Sequence, residues 1–288
     1  MVLPGVFIVL IYHYLPLAGV LIAFEKFRPN RGFLSFFTSP WVGTKHFEYL
    51  FNLPDFSRVV YNTLIISSMK IVFNILVPVT VSLLLNEMIH ERLKKAIQTT
   101  IYLPHFISWV VLGGIFVDLL SPSTGLVNRA LGIFNIQPIF FLGDNRWFRA
   151  ALVGTDVWKN FGFGTVIYLA TIAGIDPTLY EAAMADGAGY IRRAWHITIP
   201  GMIPIVVLVT VLNMSQLLNA GFDQIFNLYN PIVYETGDII DTFVYRIGLI
   251  DARYSLATAV GLFKSVISAF LVSTSYYISY RVMSYRIF

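Results

Sequence analysis

Six stretches of this chain, approximately Pro4 to Phe24, Val60 to Leu85, Ile101 to Leu120, Ala150 to Ala173, Pro200 to Ala220 and Leu256 to Tyr280, are apolar over the length of a bilayer-crossing helix. About 20 residues suffice to cross the hydrocarbon layer at the rise of an α-helix. The runs are continuous, whereas strands of a membrane barrel would alternate apolar with polar residues, so each is predicted to be a helix. The first has the length of a span and lacks a small-residue cleavage site after it, so it reads as a span and not as a secretion signal. Composition agrees: 57% of the 288 residues are hydrophobic and 12% charged, with a mean hydropathy of +0.70. Soluble domains carry about 25% charged residues. The expectation is an all-α membrane protein in which residues 1–288 form one six-span domain.

The formal net charge is +4 and the Lys and Arg residues are scattered along the chain, a pattern that excludes a nucleic-acid partner. Cysteine is absent, which excludes disulfides and thiolate metal sites. Six spans put both termini and the second and fourth loops on one side. A raw count of basic residues favours the opposite loops. The compact run Arg92-Leu93-Lys94-Lys95, close to a helix end, carries the stronger bias. That side also holds Arg192, Arg193, Arg281 and Arg286, and charge bias alone does not orient the chain.

One polar loop, at about residues 174–199, has a backbone plan of its own. Asp176-Pro177 is a helix start, because Asp caps free amides and Pro is tolerated at the first helical position. Two to three turns through Leu179, Ala182 and Ala183 to Asp186 then meet Gly187-Ala188-Gly189, where the helix is predicted to break. A second short helix, Tyr190 to Thr198, is expected to carry Arg192, Arg193 and His196 on its surface. From the residues alone, this loop is either an amphipathic connector or a rigid docking surface for a soluble partner.

The spacing inside the loop resembles a known signature. Glu181-Ala182-Ala183, Gly187, Ile197 and Pro200 are in register with the Glu-Ala-Ala, three residues, Gly, nine residues, Ile, one residue, Leu-Pro pattern of permease subunits of binding-protein-dependent ATP-binding cassette (ABC) importers. Asp186 and Ala188 extend the match to the sugar importers, and Ile199 departs from the usual Leu. The resemblance extends through Ser39-Pro40-Trp41-Val42-Gly43, Tyr102 to Trp109, Asn219 to Ile225 and Tyr254 to Gly261, which are similar to the oligosaccharide and polysaccharide branch. It implies the type I ABC importer permease architecture in a bacterial plasma membrane. It also implies a cytoplasmic coupling helix carrying Glu181, Ala182, Ala183, Asp186 and Gly187, a second homologous permease, an ATPase dimer and an extracytoplasmic solute-binding protein. No cofactor is expected in this chain, with ATP and Mg held by the ATPase subunits. The absence of a Gly-x-x-x-x-Gly-Lys-Ser/Thr run fits that division. The substrate implied is an oligosaccharide or polysaccharide, an acidic one of the alginate type included. The alternatives are a permease for another small solute, a secondary transporter, for which no midplane ion site is detected, and an intramembrane enzyme, for which no catalytic motif is detected.

Polar residues inside spans mark where a substrate would touch the chain. Asn213, Gln216 and Asn219 recur every third residue and are expected along one helix stripe, either facing a cavity or bonding neighbouring helices. Trp158 and Asn160 are further pathway candidates, Trp158 as a stacking surface for a sugar ring. Lys159 meets an acidic sugar or pairs with Asp156, pairing being favoured. Lys70 and Lys264 are expected to snorkel or to line the cavity. Phe222 to Tyr254 reads as an outer loop whose acids Asp223, Glu235, Asp238, Asp241 and Asp251 either contact a partner or are solvated.

Overall fold

Apart from one isolated bridge between Glu25 and Trp41, all regular structure in the computed structural model, which describes residues 2–283, is helical. The elements that position the functional residues are α1 (Leu3–Phe24), α2 (Pro54–Asn86), α3 (Glu91–Phe106), α4 (Trp109–Leu119), α5 (Asn145–Ala173), α6 (Pro177–Ala185), α7 (Tyr190–Met214), α8 (Phe222–Leu228), α9 (Ile240–Tyr245) and α10 (Tyr254–Met283). Four of them, α1, α2, α7 and α10, are long and apolar enough to cross a membrane. The number rises to six if α3 with α4, and α5 with α6, each make one span. Arg286, counted with the basic side, lies outside the described residues.

The third apolar stretch is not one straight helix. α3 and α4 are bent by 104° at a break over Ile107 and Ser108. Pro104 has no amide to continue the helical ladder, Ile107 is extended (φ −81°, ψ 135°), and Ser108 caps α4 by accepting from the Val111 amide at 3.4 Å. The fifth stretch also departs from expectation at both ends. The short helix predicted over Tyr190 to Thr198 runs without interruption into the span, and α7 stops at Met214, before Ala220. Pro200 does not break it, because a wider π turn over Ala194–Thr198 precedes the proline and the Ile199 amide bonds Ala194. α1 uses the same device, a π turn over Leu10–Tyr14 ahead of Pro16.

Two compact units divide the chain. Among the described residues, one comprises those from Val2 to Thr63 with Asp238–Phe270, the other Leu64–Gly237 with those from Leu271 to Met283. In the first, Phe56 packs edge-on to Phe263 (5.3 Å between ring centres) and Phe51 does the same (5.6 Å). The expected outer loop is here largely helical, and two of its acids are engaged inside the unit. Asp238 is buried and forms an ion pair with Arg246, which donates from two nitrogens, and it also accepts from Thr242 Oγ1 at 2.8 Å. Asp241 pairs with Lys264, which is not among the residues lining the cavity described below. Asp223, Glu235 and Asp251 are exposed.

In the second unit, close backbone approach holds the helices together, as expected where lipid removes the hydrophobic drive for helix association. A Cβ on Gly162 of α5 would collide with the backbone carbonyl of Ile101 in α3. The glycine therefore lets α3 lie directly on α5. Tyr168 and Ile172 of α5 and Met202 of α7 form a buried cluster covered by Val79 and Leu83 of α2.

Candidate functional site

The loop helix α6 is closed at both ends by local chemistry. Asp176 Oδ1 accepts from the Thr178 amide at 2.9 Å, which holds the Asp176 carboxyl below the usual carboxylate range. At the other end the Ala188 amide bonds the Ala183 carbonyl (2.8 Å) and the Gly187 amide bonds Met184 (3.0 Å), with Gly187 at φ +75°. This is the Schellman arrangement, in which the left-handed residue is most often glycine. Between the caps, Leu179, Glu181, Ala182, Met184 and Asp186 are exposed, and Ala183 is half-buried. Two contacts tie the loop to the helices beside it. Tyr180 OH lies 3.0 Å from Thr198 Oγ1, and Arg193 lies 3.5 Å from Glu87 at the end of α2 while stacking over the Tyr190 ring. Arg193 is thus largely covered and paired, not on the helix surface as expected.

A cavity of about 390 Å³ has among its lining residues Ser67, Lys70 and Asn74 of α2, His105 at the end of α3, Asp156 and Asn160 of α5, and Asn213, Gln216 and Asn219, beside apolar Ile71, Phe163, Ile167 and Val209. Lys70 is its most constrained member. Its ammonium donates to the Ala220 carbonyl (2.7 Å) and to Gln224 Oε1, and lies 3.4 Å from Asp156 Oδ1. Asn74 Nδ2 donates to Asp156 Oδ2 at 2.8 Å, and Gln224 Nε2 donates to Leu152 O and Thr155 Oγ1, both at 2.7 Å. Every charge in this network is met by an opposite charge or a hydrogen bond, the condition for tolerating it away from water. Ser67 Oγ, Asn74 Oδ1 and Tyr168 OH, all from cavity-lining residues, are buried without a partner inside the protein. Such groups mark positions where water or a ligand supplies the missing bond.

Asn160, Asn213, Gln216 and Asn219 share this cavity, although three of them arrive there by a route the sequence pattern did not foresee. The expected helix stripe is absent because α7 ends at Met214. Gln216 and Asn219 sit in successive tight turns, their amides bonding Asn213 O (3.0 Å) and Gln216 O (2.8 Å). The side-chain hydrogen bond of this trio, Asn219 Nδ2 to Gln216 Oε1 at 3.4 Å, stays within the turn and reaches no neighbouring helix. Trp158 lies elsewhere. Two residues from Asn160, it is turned about 200° around the helix, packs edge-on to Phe116 at 5.5 Å, and lines an apolar groove instead of that cavity.

Lys159 does not pair with Asp156. Its buried ammonium donates to the carbonyls of His105 (2.6 Å) and Ile107 (2.7 Å), and Asp156 is taken by Lys70 and Asn74. Beside it, Asn160 Oδ1 lies 3.0 Å from His105 Nδ1, and the imidazole stacks on Phe163 at 4.2 Å. Lys159, Asn160 and Gly162 therefore pin the broken end of α3 to α5. Of the lining residues, His105, Asn74, Ser67 and Asp156 were not singled out for the pathway. The available signal was the recurrence of Ser67, Lys70 and Asn74 at helical spacing inside one apolar run.

Residues 78–287 match the family described as binding-protein-dependent transport system inner membrane component. Among curated relatives, Protein LplB of Bacillus subtilis is 40% identical over 97% of this chain and 87% of its own length. The polygalacturonan/rhamnogalacturonan transport system permease protein YteP of Bacillus subtilis is 40% identical over 94% of this chain and 84% of its own. Among solved structures, a chain of a bacterial ABC transporter involved in the import of the acidic polysaccharide alginate superposes with a TM-score of 0.88 at 38% identity, covering 98% of this chain and 94% of that one. A chain of an alginate transporter in complex with a pentasaccharide-bound periplasmic protein superposes with a TM-score of 0.86 at 37% identity, over 98% and 93%.

Proposed function

Because the chain belongs to the family of binding-protein-dependent transport system inner membrane components, we infer that it is a permease subunit of an ABC importer for oligosaccharides or polysaccharides. We place acidic glycans first among its substrates, since the relatives include a permease for polygalacturonan and rhamnogalacturonan and an alginate importer at similar identity. The observation that carries a sugar substrate is the set of amides, Asn160, Asn213, Gln216 and Asn219, lining one cavity in a chain otherwise built for lipid. Amides both donate and accept, and so suit hydroxyl-rich ligands.

The remaining parts follow the same reading. A second permease completes the path, a solute-binding protein delivers the glycan, and two ATPase subunits bind ATP and Mg. The exposed helix Pro177–Ala185, carrying Glu181, Ala182, Ala183 and, at its end, Asp186 and Gly187, docks on an ATPase subunit. Closure of the ATPase dimer moves the two such helices together, and the packed spans turn that movement into alternating access. Two features support a rigid lever here: both ends of the helix are capped, and Tyr180 and Arg193 anchor the loop to Thr198 and Glu87. The test is uptake by the reconstituted complex against a panel of acidic and neutral oligosaccharides. Uptake limited to a non-sugar solute would overturn this reading.

A further inference from the structure

Three polar atoms in the cavity wall are left over once the hydrogen bonds inside the protein are assigned: Ser67 Oγ, Asn74 Oδ1 and Tyr168 OH. Hydroxyls in helices commonly turn back to the carbonyl one turn before, as Thr80 of α2 does to Leu76 (2.8 Å) and Thr165 of α5 to Phe161 (2.7 Å). Ser67 makes no such bond, and with 2% of its surface exposed it has little access to bulk water. Ser67 and Asn74 are seven residues apart, two turns along one face of α2. Tyr168 of α5 is one turn beyond Gly164, where a Cβ would come within 3.1 Å of Pro78 of α2, and its ring packs under Val79 and Leu83 of the same helix. The three residues therefore share the seam between α2 and α5.

We propose that Ser67, Asn74 and Tyr168 form a hydroxyl-reading subsite: a glycan entering the cavity completes their hydrogen bonds with its ring hydroxyls, and its acid groups face away from this wall. The inference rests on the glycan substrate proposed above. The unused valences of the three residues differ in kind. Asn74 Nδ2 donates to the Asp156 carboxylate at 2.8 Å, so the atom left over is Oδ1, which only accepts. The Ser67 and Tyr168 hydroxyls donate as well as accept. A sugar hydroxyl matches both kinds, because it can donate to Asn74 and accept from Ser67 or Tyr168. A carboxylate only accepts, so it leaves Asn74 Oδ1 unmet and comes within reach of the Asp156 charge. Lys70 does not compensate for this, because the three donors of its ammonium are directed at Ala220 O, Gln224 Oε1 and Asp156 Oδ1. Buried polar groups without partners destabilise the empty protein and are relieved by ligand, so deleting one should move stability and binding in opposite directions.

Tyr168→Phe and Ser67→Ala each remove one hydroxyl and little volume. The complete permease and ATPase complex in nanodiscs is titrated with an oligouronate and with its carboxyl-reduced counterpart by saturation-transfer NMR, and its unfolding midpoint without ligand is followed by tryptophan fluorescence. Each variant should bind both ligands about three- to tenfold more weakly, the worth of one hydrogen bond. The ratio between the two ligands should stay the same, and the midpoint without ligand should hold or rise. Loss of affinity for the oligouronate alone overturns the proposal, because the hydroxyls would then be gripping a carboxylate. A lowered midpoint in both variants overturns it as well, since the hydroxyls would then belong to the fold, bonded to buried water. Unaltered affinity for both ligands does the same. Wild-type complex that binds neither ligand would instead refute the glycan substrate on which the inference rests.

Discussion

Removing Lys70 tests whether the cavity wall is held by one coupled network. The Lys70 and Asp156 charges are 3.4 Å apart with side chains 9% and 14% exposed, so screening by solvent is slight. At an effective dielectric of about 20 their attraction is about 5 kcal/mol, part of which offsets the desolvation of the two ions. Lys70→Met deletes that attraction, leaves the Ala220 carbonyl and Gln224 Oε1 without their donor, and strands the Asp156 carboxylate with Asn74 alone. Loss of one partner of a buried pair costs about 3–5 kcal/mol. Asp156→Asn is milder, about 1–3 kcal/mol, because Lys70 keeps two neutral acceptors. The double variant Lys70→Met with Asp156→Asn should be more stable than the sum of the single losses predicts, by about 2 kcal/mol or more. Equilibrium unfolding of the purified complex in mixed micelles, followed by tryptophan fluorescence, measures the three losses. Additivity within about 0.5 kcal/mol would show that the two residues act independently, and the network described here would be wrong.

Gly187→Val forces a branched residue into a left-handed backbone at a position with open space around it, so about 1–2 kcal/mol of backbone strain falls on the end of the docking helix. ATPase activity of the reconstituted importer should persist while uptake per ATP falls several-fold, and an unchanged ratio would count against α6 as the lever. Glu181→Lys reverses an exposed charge and should weaken co-purification of the ATPase subunit, most clearly at low salt; full recovery of that subunit would place its docking site elsewhere. Ala substitution of Asn213, Gln216 or Asn219 should reduce uptake with assembly intact, whereas Trp158→Ala, outside that cavity, should leave uptake per assembled complex nearly unchanged. The reverse pattern would move the sugar path to the apolar groove.

Local backbone chemistry was legible in the sequence, and long-range partners were not. Asp176-Pro177 and Gly187 mark where α6 starts and stops because capping and positive φ depend on a few adjacent residues. The third stretch hid its break because hydropathy averages over residues and so passes through Pro104 and Ser108, although both carry helix-ending chemistry. Asn213, Gln216 and Asn219 stand out as polar residues in an apolar run, a signal indifferent to whether the helix continues. Their shared cavity survives the loss of the stripe because tight turns also bring every third residue back to one side. Trp158 has the chemistry of a sugar-stacking surface, but the helical angle separating it from Asn160 turns it to the apolar groove. The sequence offers Lys159 an acid three residues away, Asp156, whereas its hydrogen-bond partners are main-chain carbonyls some fifty residues distant along the chain. A carbonyl is present at every residue, so nothing in the letter sequence marks it as a partner.

The two buried lysines have a common physical cause. A helix broken at membrane depth leaves carbonyls with no amide to meet them, and in lipid each such group costs several kcal/mol. This chain breaks its helices twice near the cavity, at Ile107-Ser108 and in the turns after Met214. At each break a lysine from an intact neighbouring helix meets the freed carbonyls. Lys159 of α5 serves His105 and Ile107, and Lys70 of α2 serves Ala220. A single ammonium offers three donors and is suited to carbonyls that converge without regular geometry. Its charge is then balanced differently at the two sites. Lys70 has Asp156 at 3.4 Å, whereas Lys159 is held by carbonyl dipoles and the face of Trp109 at 5.7 Å, with Asp156 a more distant charge. The positive charge placed beside His105 thus follows from mending the broken helix. The break that needs mending is also what carries His105 to the cavity.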